Sequence, residues 1–190
     1  MDERRLFIGI KLPRKISDIL FFLRSTVFKY DNYFRWSSGN NAHITLLFLG
    51  SIDISLESQI IDKISSCLAN ENKIKISISS TGAFPSESNP RVLWLGVQEG
   101  NEELQKINYE LRVAMEELFG FSSKPNFVPH ITVGRLKEKY YSNKIDVKEF
   151  FNTVYSPMEI NINSICLFES VKISKGVQYN KIKEFSLLQG

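Results

Sequence analysis

The alternation of apolar and polar positions lays out the same run of strands and helices twice along this 190-residue chain. Leu6 to Ile10 is an apolar run of buried-strand length. Pro13 then opens a predicted helix with Ile16, Leu20, Leu23 and Val27 along one stripe. Tyr33 to Trp36 reads as a short strand, followed by turn chemistry over Ser37-Ser38-Gly39-Asn40-Asn41. Ala42 to Leu49 is a strand ended by Gly50, and the helix after Ser55 aligns Leu56, Ile60, Ile64 and Leu68. Ile74, Ile76 and Ile78 alternate with Lys75, Ser77 and Ser79, as in a strand with one wet face.

From Arg91 the plan recurs. Arg91 to Val97 predicts a strand broken by Gly100-Asn101. The helix that follows carries Leu104, Ile107, Leu111, Met115 and Leu118 and stops at Gly120. Pro125 to Pro129 is loop, and His130 to Leu136 is a second apolar strand. A short helix over Val147 to Val154 follows. Ile160, Ile162 and Ile165 begin one further strand, and Tyr179 to Leu188 closes the layout. The segment Phe84 to Pro90 reads as a hinge between the halves.

The repeat is carried by residues as well as by pattern. The chain has two histidines, and each opens the same tripeptide: His43-Ile44-Thr45 and His130-Ile131-Thr132. Leu6-Phe7-Ile8-Gly9 and Leu93-Trp94-Leu95-Gly96 each start 37 residues ahead, so both blocks recur at an offset of 87 residues. That offset is too long for a solenoid repeat and suits a unit duplicated once and fused. Two imidazoles in equivalent places on related halves can face each other across a symmetric cleft.

Strand geometry gives each motif its chemistry. His43 and Thr45 point one way while Ile44 points into the core, and the same holds for His130, Thr132 and Ile131. An imidazole and a hydroxyl thus stand roughly 6–7 Å apart along each strand. Such a pair of pairs can grip a phosphate, one neutral imidazole accepting a proton and its protonated partner donating one. Both states are accessible near neutral pH. Strict alternation sets Arg135, a candidate for stabilising phosphate charge, on the face opposite His130, unless the strand ends or bulges near Gly134. Leu47 falls on the His43 face by the same count.

Composition narrows the class. A net charge of +3 permits phosphate contact without the footprint of a protein that coats nucleic acid. Cys67 and Cys166 lack CxxC spacing and read as reduced structural cysteines of a cytoplasmic protein. No secretory signal is visible, and no apolar stretch reaches the ~20 residues that span a bilayer. Two histidines without a carboxylate or thiol at strand spacing underfill a metal shell, and no phosphate loop or nucleophile elbow is present. No metal and no cofactor are therefore expected.

The paired motifs resemble the 2H phosphoesterase superfamily, and in particular its RNA 2′,3′-cyclic phosphodiesterase, or 2′-5′ RNA ligase, branch. The resemblance extends from Arg5-Leu6-Phe7-Ile8-Gly9 through Arg35-Trp36, Ala42 to Gly50, Arg91 to Val97 and Pro129 to Arg135. It continues into Glu169-Ser170, Gly176 and Tyr179. It implies an α+β fold of two pseudo-symmetric lobes, each an antiparallel sheet backed by helices, with a central cleft. Residues 1–190 would form one bilobal unit, with lobes of roughly 1–84 and 90–190 that can exchange strands. It also implies opening of RNA 2′,3′-cyclic phosphate ends to 2′-phosphomonoesters, and in many members the reverse joining through a 2′-5′ bond.

On this resemblance His43 is the proton donor to the departing 3′ oxygen and His130 the base, an assignment that the residues alone leave open. Thr45, Thr132 and Arg135 would hold phosphate oxygens. Phe7 and Trp36 are candidates for stacking on a base, with a place in the core as the alternative. The partner would be an RNA end, tRNA fragments among them, met by a cytoplasmic monomer without a membrane. The competing readings are a phosphodiesterase of another 2′-5′ or cyclic nucleotide, and an idle RNA-end binder.

Overall fold

The computed structural model describes residues 2–120, 126–174 and 176–189. The first half of the chain supplies β1 (Glu3–Lys11), α1 (Ile16–Ser25), β2 (Phe34–Trp36), β3 (His43–Asp53), α2 (Glu57–Leu68) and β4 (Ile74–Ser86). The second supplies β5 (Asn89–Val97), α3 (Asn101–Phe119), β6 (His130–Leu136), the single turn α4 (Lys148–Phe151), β7 (Met158–Ile162), β8 (Ser164–Ile173) and β9 (Gly176–Ser186). The helices follow from their stripes: Ile16, Ile19, Leu20 and Leu23 are the buried face of α1, and Leu104, Ile107, Leu111 and Met115 that of α3. Gly120 ends α3 in the left-handed region, φ +55°, where its amide donates to the Glu116 carbonyl. Of the loop expected from Pro125 to Pro129, Pro125 lies outside the described residues.

The strands pair in the order β7-β4-β5-β6-β3-β1-β8-β9, all antiparallel, and β2 joins β6 beside this path. The fold is α+β, and the repeated strands β3 and β6 sit side by side at its centre. They are joined through one residue pair, Ile44 opposite Ile131. Around this seam the halves are interwoven. β4, from the first half, pairs with β5 of the second; β8, from the second, pairs with β1 of the first. The helices cross as well, with α1 against β6 and α3 against β3. One continuous apolar core, running from Leu6 and Ile44 to Leu93 and Ile131, underlies both sides. A smaller cluster of Phe7, Cys166 and Phe168, capped by Tyr179, lies on the other face.

Three sequence expectations change. Phe84 to Pro90 is the tip of the β4–β5 hairpin, with Pro85 opposite Pro90 and Ser86 opposite Asn89, and is no hinge. The prolines and polar residues there serve a two-residue turn. β3 runs past Gly50 to Asp53, because a glycine at φ +89° lets the strand bend and stay paired. The strand expected from Ile160 through Ile165 breaks at Asn163, sending β7 to one edge of the path and β8 beside β1.

Candidate active site

The burial pattern of the first seven residues is identical in β3 and β6, and it departs from strict alternation at the same place. In β6, Trp94 faces Thr132 and Leu93 faces Gly134, which leaves Val133 as an extra residue. In β3, Gly9 faces Thr45 and Ile8 faces Leu47, which leaves Leu46 extra. Each is a β-bulge that turns two consecutive residues to the core and reverses the phase of the rest of the strand. The carbonyls freed by the bulges are satisfied. The Asn108 side-chain amide, from α3, donates to Leu46 O, and the Ser37 N–H donates to Val133 O.

The bulges bring Arg135 onto the face of His130, where its guanidinium donates to the Thr132 hydroxyl at 3.3 Å. They also correct the position of Leu47, which is buried in the core. Phe48 takes the cleft position instead and is 60% exposed, 87 residues before Arg135. Continuing the register from Ile44–Ile131 sets His43 across from Thr132 and Thr45 across from His130. The four residues that the tripeptides predict are therefore together, with Arg135 beside them.

The two imidazoles are held alike. His43 Nδ1 lies 2.7 Å from the Asn41 carbonyl, and His130 Nδ1 lies 2.8 Å from the Val128 carbonyl. A carbonyl can only accept, so Nδ1 carries the hydrogen in each ring and Nε2 is the nitrogen left for chemistry. The walls are aromatic. His43 meets the Tyr179 ring at 4.7 Å and Phe7 at 5.2 Å; His130 meets Phe84 at 5.0 Å and Trp94 at 6.2 Å. Burial in these walls is the main cause that lowers both imidazole pKa values below the ordinary 6.5, with the Arg135 charge lowering both further. Among the described residues no group of three or more His, Cys, Asp or Glu is arranged to hold a metal ion.

The proposed base-stacking residues are corrected. Phe7 is 2% exposed, packed between His43, Phe168 and Tyr179, with no face open to a base. Trp36 lies on the core side of β2 with Phe34. Its ring covers Gly134, its N–H donates to the Asp31 carbonyl, and the Arg24 guanidinium sits 5.7 Å from its centre. Trp94, Phe84 and Tyr179 are aromatics packed against the imidazoles, and Phe48 stands exposed beside Phe7. Trp94 has a signal in the sequence, standing where the repeat places Phe7; Phe48 and Tyr179 fall in stretches that carry the family resemblance, and Phe84 has no such signal.

Residues 23–172 match the family model of the 2′-5′ RNA ligase superfamily. The chain belongs to that superfamily. It is 30% identical to an RNA 2′,3′-cyclic phosphodiesterase of Thermotoga maritima, over 95% of this chain and 94% of that protein. Another from Aquifex aeolicus is 28% identical, over 98% and 99% respectively. The fold recurs in crystal structures: the match to protein TT0787 of Thermus thermophilus, at 24% identity and a TM-score of 0.78, covers 96% of this chain and 97% of that one. LigT of Escherichia coli, crystallised with 3′-AMP, gives the same TM-score at 22% identity, over 99% and 100%.

Proposed function

We propose that this chain opens 2′,3′-cyclic phosphates at RNA ends by acid/base catalysis between His43 and His130, with residues 1–190 acting as one bilobal unit. The observation that carries the reading is the matched pair of Nε2 atoms, each freed by a backbone carbonyl at Nδ1, flanked by Thr45, Thr132 and Arg135. His130 Nε2 takes a proton from water as its oxygen attacks phosphorus. The bond from phosphorus to O3′ breaks, and protonated His43 gives its proton to that oxygen, leaving a 2′-phosphomonoester and a 3′-hydroxyl. Thr45 and Thr132 hold non-bridging oxygens, and Arg135 neutralises charge on them.

The same groups can join such an end to a 5′-hydroxyl when that hydroxyl takes the place of water and gives its proton to His130, in keeping with the superfamily's name. The reading takes tRNA fragments among the substrates. It places the protein in the cytoplasm as a monomer. It assigns no cofactor. No described helix is long and apolar enough to cross a membrane.

The test is an RNA ending in a 2′,3′-cyclic phosphate, incubated with EDTA. The expected product is the 2′-phosphate. His43→Ala and His130→Ala should each lower kcat by at least ~100-fold, and the double variant should be scarcely worse. A 3′-phosphate product, or activity abolished by EDTA, would overturn the mechanism. A wild type that binds this RNA without turning it over would leave the idle-binder reading standing.

A further inference from the structure

β2 is a three-residue strand that pairs only with β6, and its middle residue is Arg35, directly opposite Arg135. Residues directly opposite in an antiparallel pair share a face, with Cβ atoms about 5 Å apart. Phe34 and Trp36 on either side of Arg35 turn to the core, so Arg35 stands on the cleft face with Arg135. Like charges in such a pair destabilise a sheet. No acidic side chain offsets them: among the described residues neither arginine makes an ion pair. Asp31, whose carbonyl holds the Trp36 indole, has its carboxylate committed to Arg24 through two bonds of 2.5 and 2.7 Å. Lys137, whose Nζ donates to the Asn32 carbonyl, adds a third positive charge at the end of the same strand.

Resting on the reading above, we propose that Arg35, beside Arg135, holds a second phosphate, the phosphodiester on the 5′ side of the terminal nucleotide. An RNA that ends in a cyclic phosphate continues only in the 5′ direction, so its next anion is that phosphodiester. Arg135 points inward, toward Thr132 and the histidines. Arg35 is one strand over, on the edge of β6 that also bears β3, about 4.8 Å away in the pairing direction. Its guanidinium is exposed and free to take two phosphate oxygens in a bidentate bond. The pair thus spans from the reacting phosphate to its neighbour. It makes the site a reader of RNA ends rather than of cyclic mononucleotides.

The test compares adenosine 2′,3′-cyclic phosphate, the dinucleotide ApA ending in the same group, and that dinucleotide with a neutral methylphosphonate linkage. For the wild type, kcat/KM should favour the charged dinucleotide over both others. Arg35→Gln should cut the ratio of charged dinucleotide to mononucleotide by roughly tenfold, one charge-assisted bond, with the loss carried by KM. It should barely change the rate on the methylphosphonate relative to the mononucleotide. Arg35→Lys should restore part of the ratio. The salt slope of the logarithm of kcat/KM on the dinucleotide should flatten by about 0.7 with Arg35→Gln. A ratio moved less than twofold, or an equal loss on charged and neutral linkages, overturns the subsite while leaving the proposed activity intact. A wild type inactive on all three overturns the activity and the subsite together.

Discussion

At the scale of single residues, the two imidazoles share one environment, and that environment has a sign. Burial against Tyr179 and Phe7, or Phe84 and Trp94, disfavours the charged form, so each histidine of the free protein titrates below 6.5. One must be protonated and the other neutral. The profile of kcat/KM, which reports the free enzyme, should therefore peak below pH 6.5 and fall steadily toward about pH 8. A bound anionic phosphate favours imidazolium, so the kcat profile should sit at higher pH than that of kcat/KM. Measuring both on a cyclic-phosphate dinucleotide checks this; a kcat/KM optimum above 6.5 would mean the pair does not titrate as described. His43, His130, Thr45 and Thr132 are legible because a two-histidine chain spends both in one repeated tripeptide. Phe48 is not, and Arg135 is so only on condition of a bulge near Gly134, since their positions depend on a phase change that counting by twos cannot reveal. Phe7 escapes such counting for a related reason: an aromatic on the correct face can still be sealed by its neighbours.

At the scale of elements, the bulges at Leu46 and Val133 decide what the central strands present. One sign of them is visible in the sequence, where Leu46-Leu47 and Val133-Gly134 put two core-compatible residues in succession. The break at Asn163 leaves a similar trace: Ile160 and Ile162 share a phase that Ile165 does not. Gly134 is the position at which the β6 bulge can be disturbed. A Cβ there would come within 2.7 Å of the Trp36 ring and 3.5 Å of Phe34, so β2 must move to admit it. Gly134→Ala should cost about 1–3 kcal/mol of stability, read from the urea midpoint. It should also lower turnover of a cyclic-phosphate RNA by displacing both Arg135 and Arg35. Full stability with unaltered turnover would show that the close approach of strand and indole has no part in aiming the arginines.

At the scale of the whole molecule, the duplication can be read from the two passes of strand and helix, while the α+β class and the scope for strand exchange between lobes come from the family resemblance, and the particular interweaving from neither. Periodicity states which residues are buried; it is silent on which strand lies beside which, because pairing is settled by long-range packing. The apolar face of α1, for example, is the same whether it covers its own half or, as here, β6 of the other. The exchange of β4 and β8 has a consequence for the chain's covalent continuity. The link between the halves is the two-residue turn Glu87-Ser88, and everything else joining them is non-covalent and reciprocal. Severing the chain there should yield two fragments, 1–87 and 88–190, that assemble when expressed together and recover turnover, as two intertwined subunits would. Alone, fragment 1–87 would hold β4 without either of its neighbours, β5 and β7, and should remain unfolded by circular dichroism. If each fragment instead folds independently and the two fail to associate, the halves are separable domains. Otherwise the enzyme is a heterodimer in all but its backbone, tied at one hairpin.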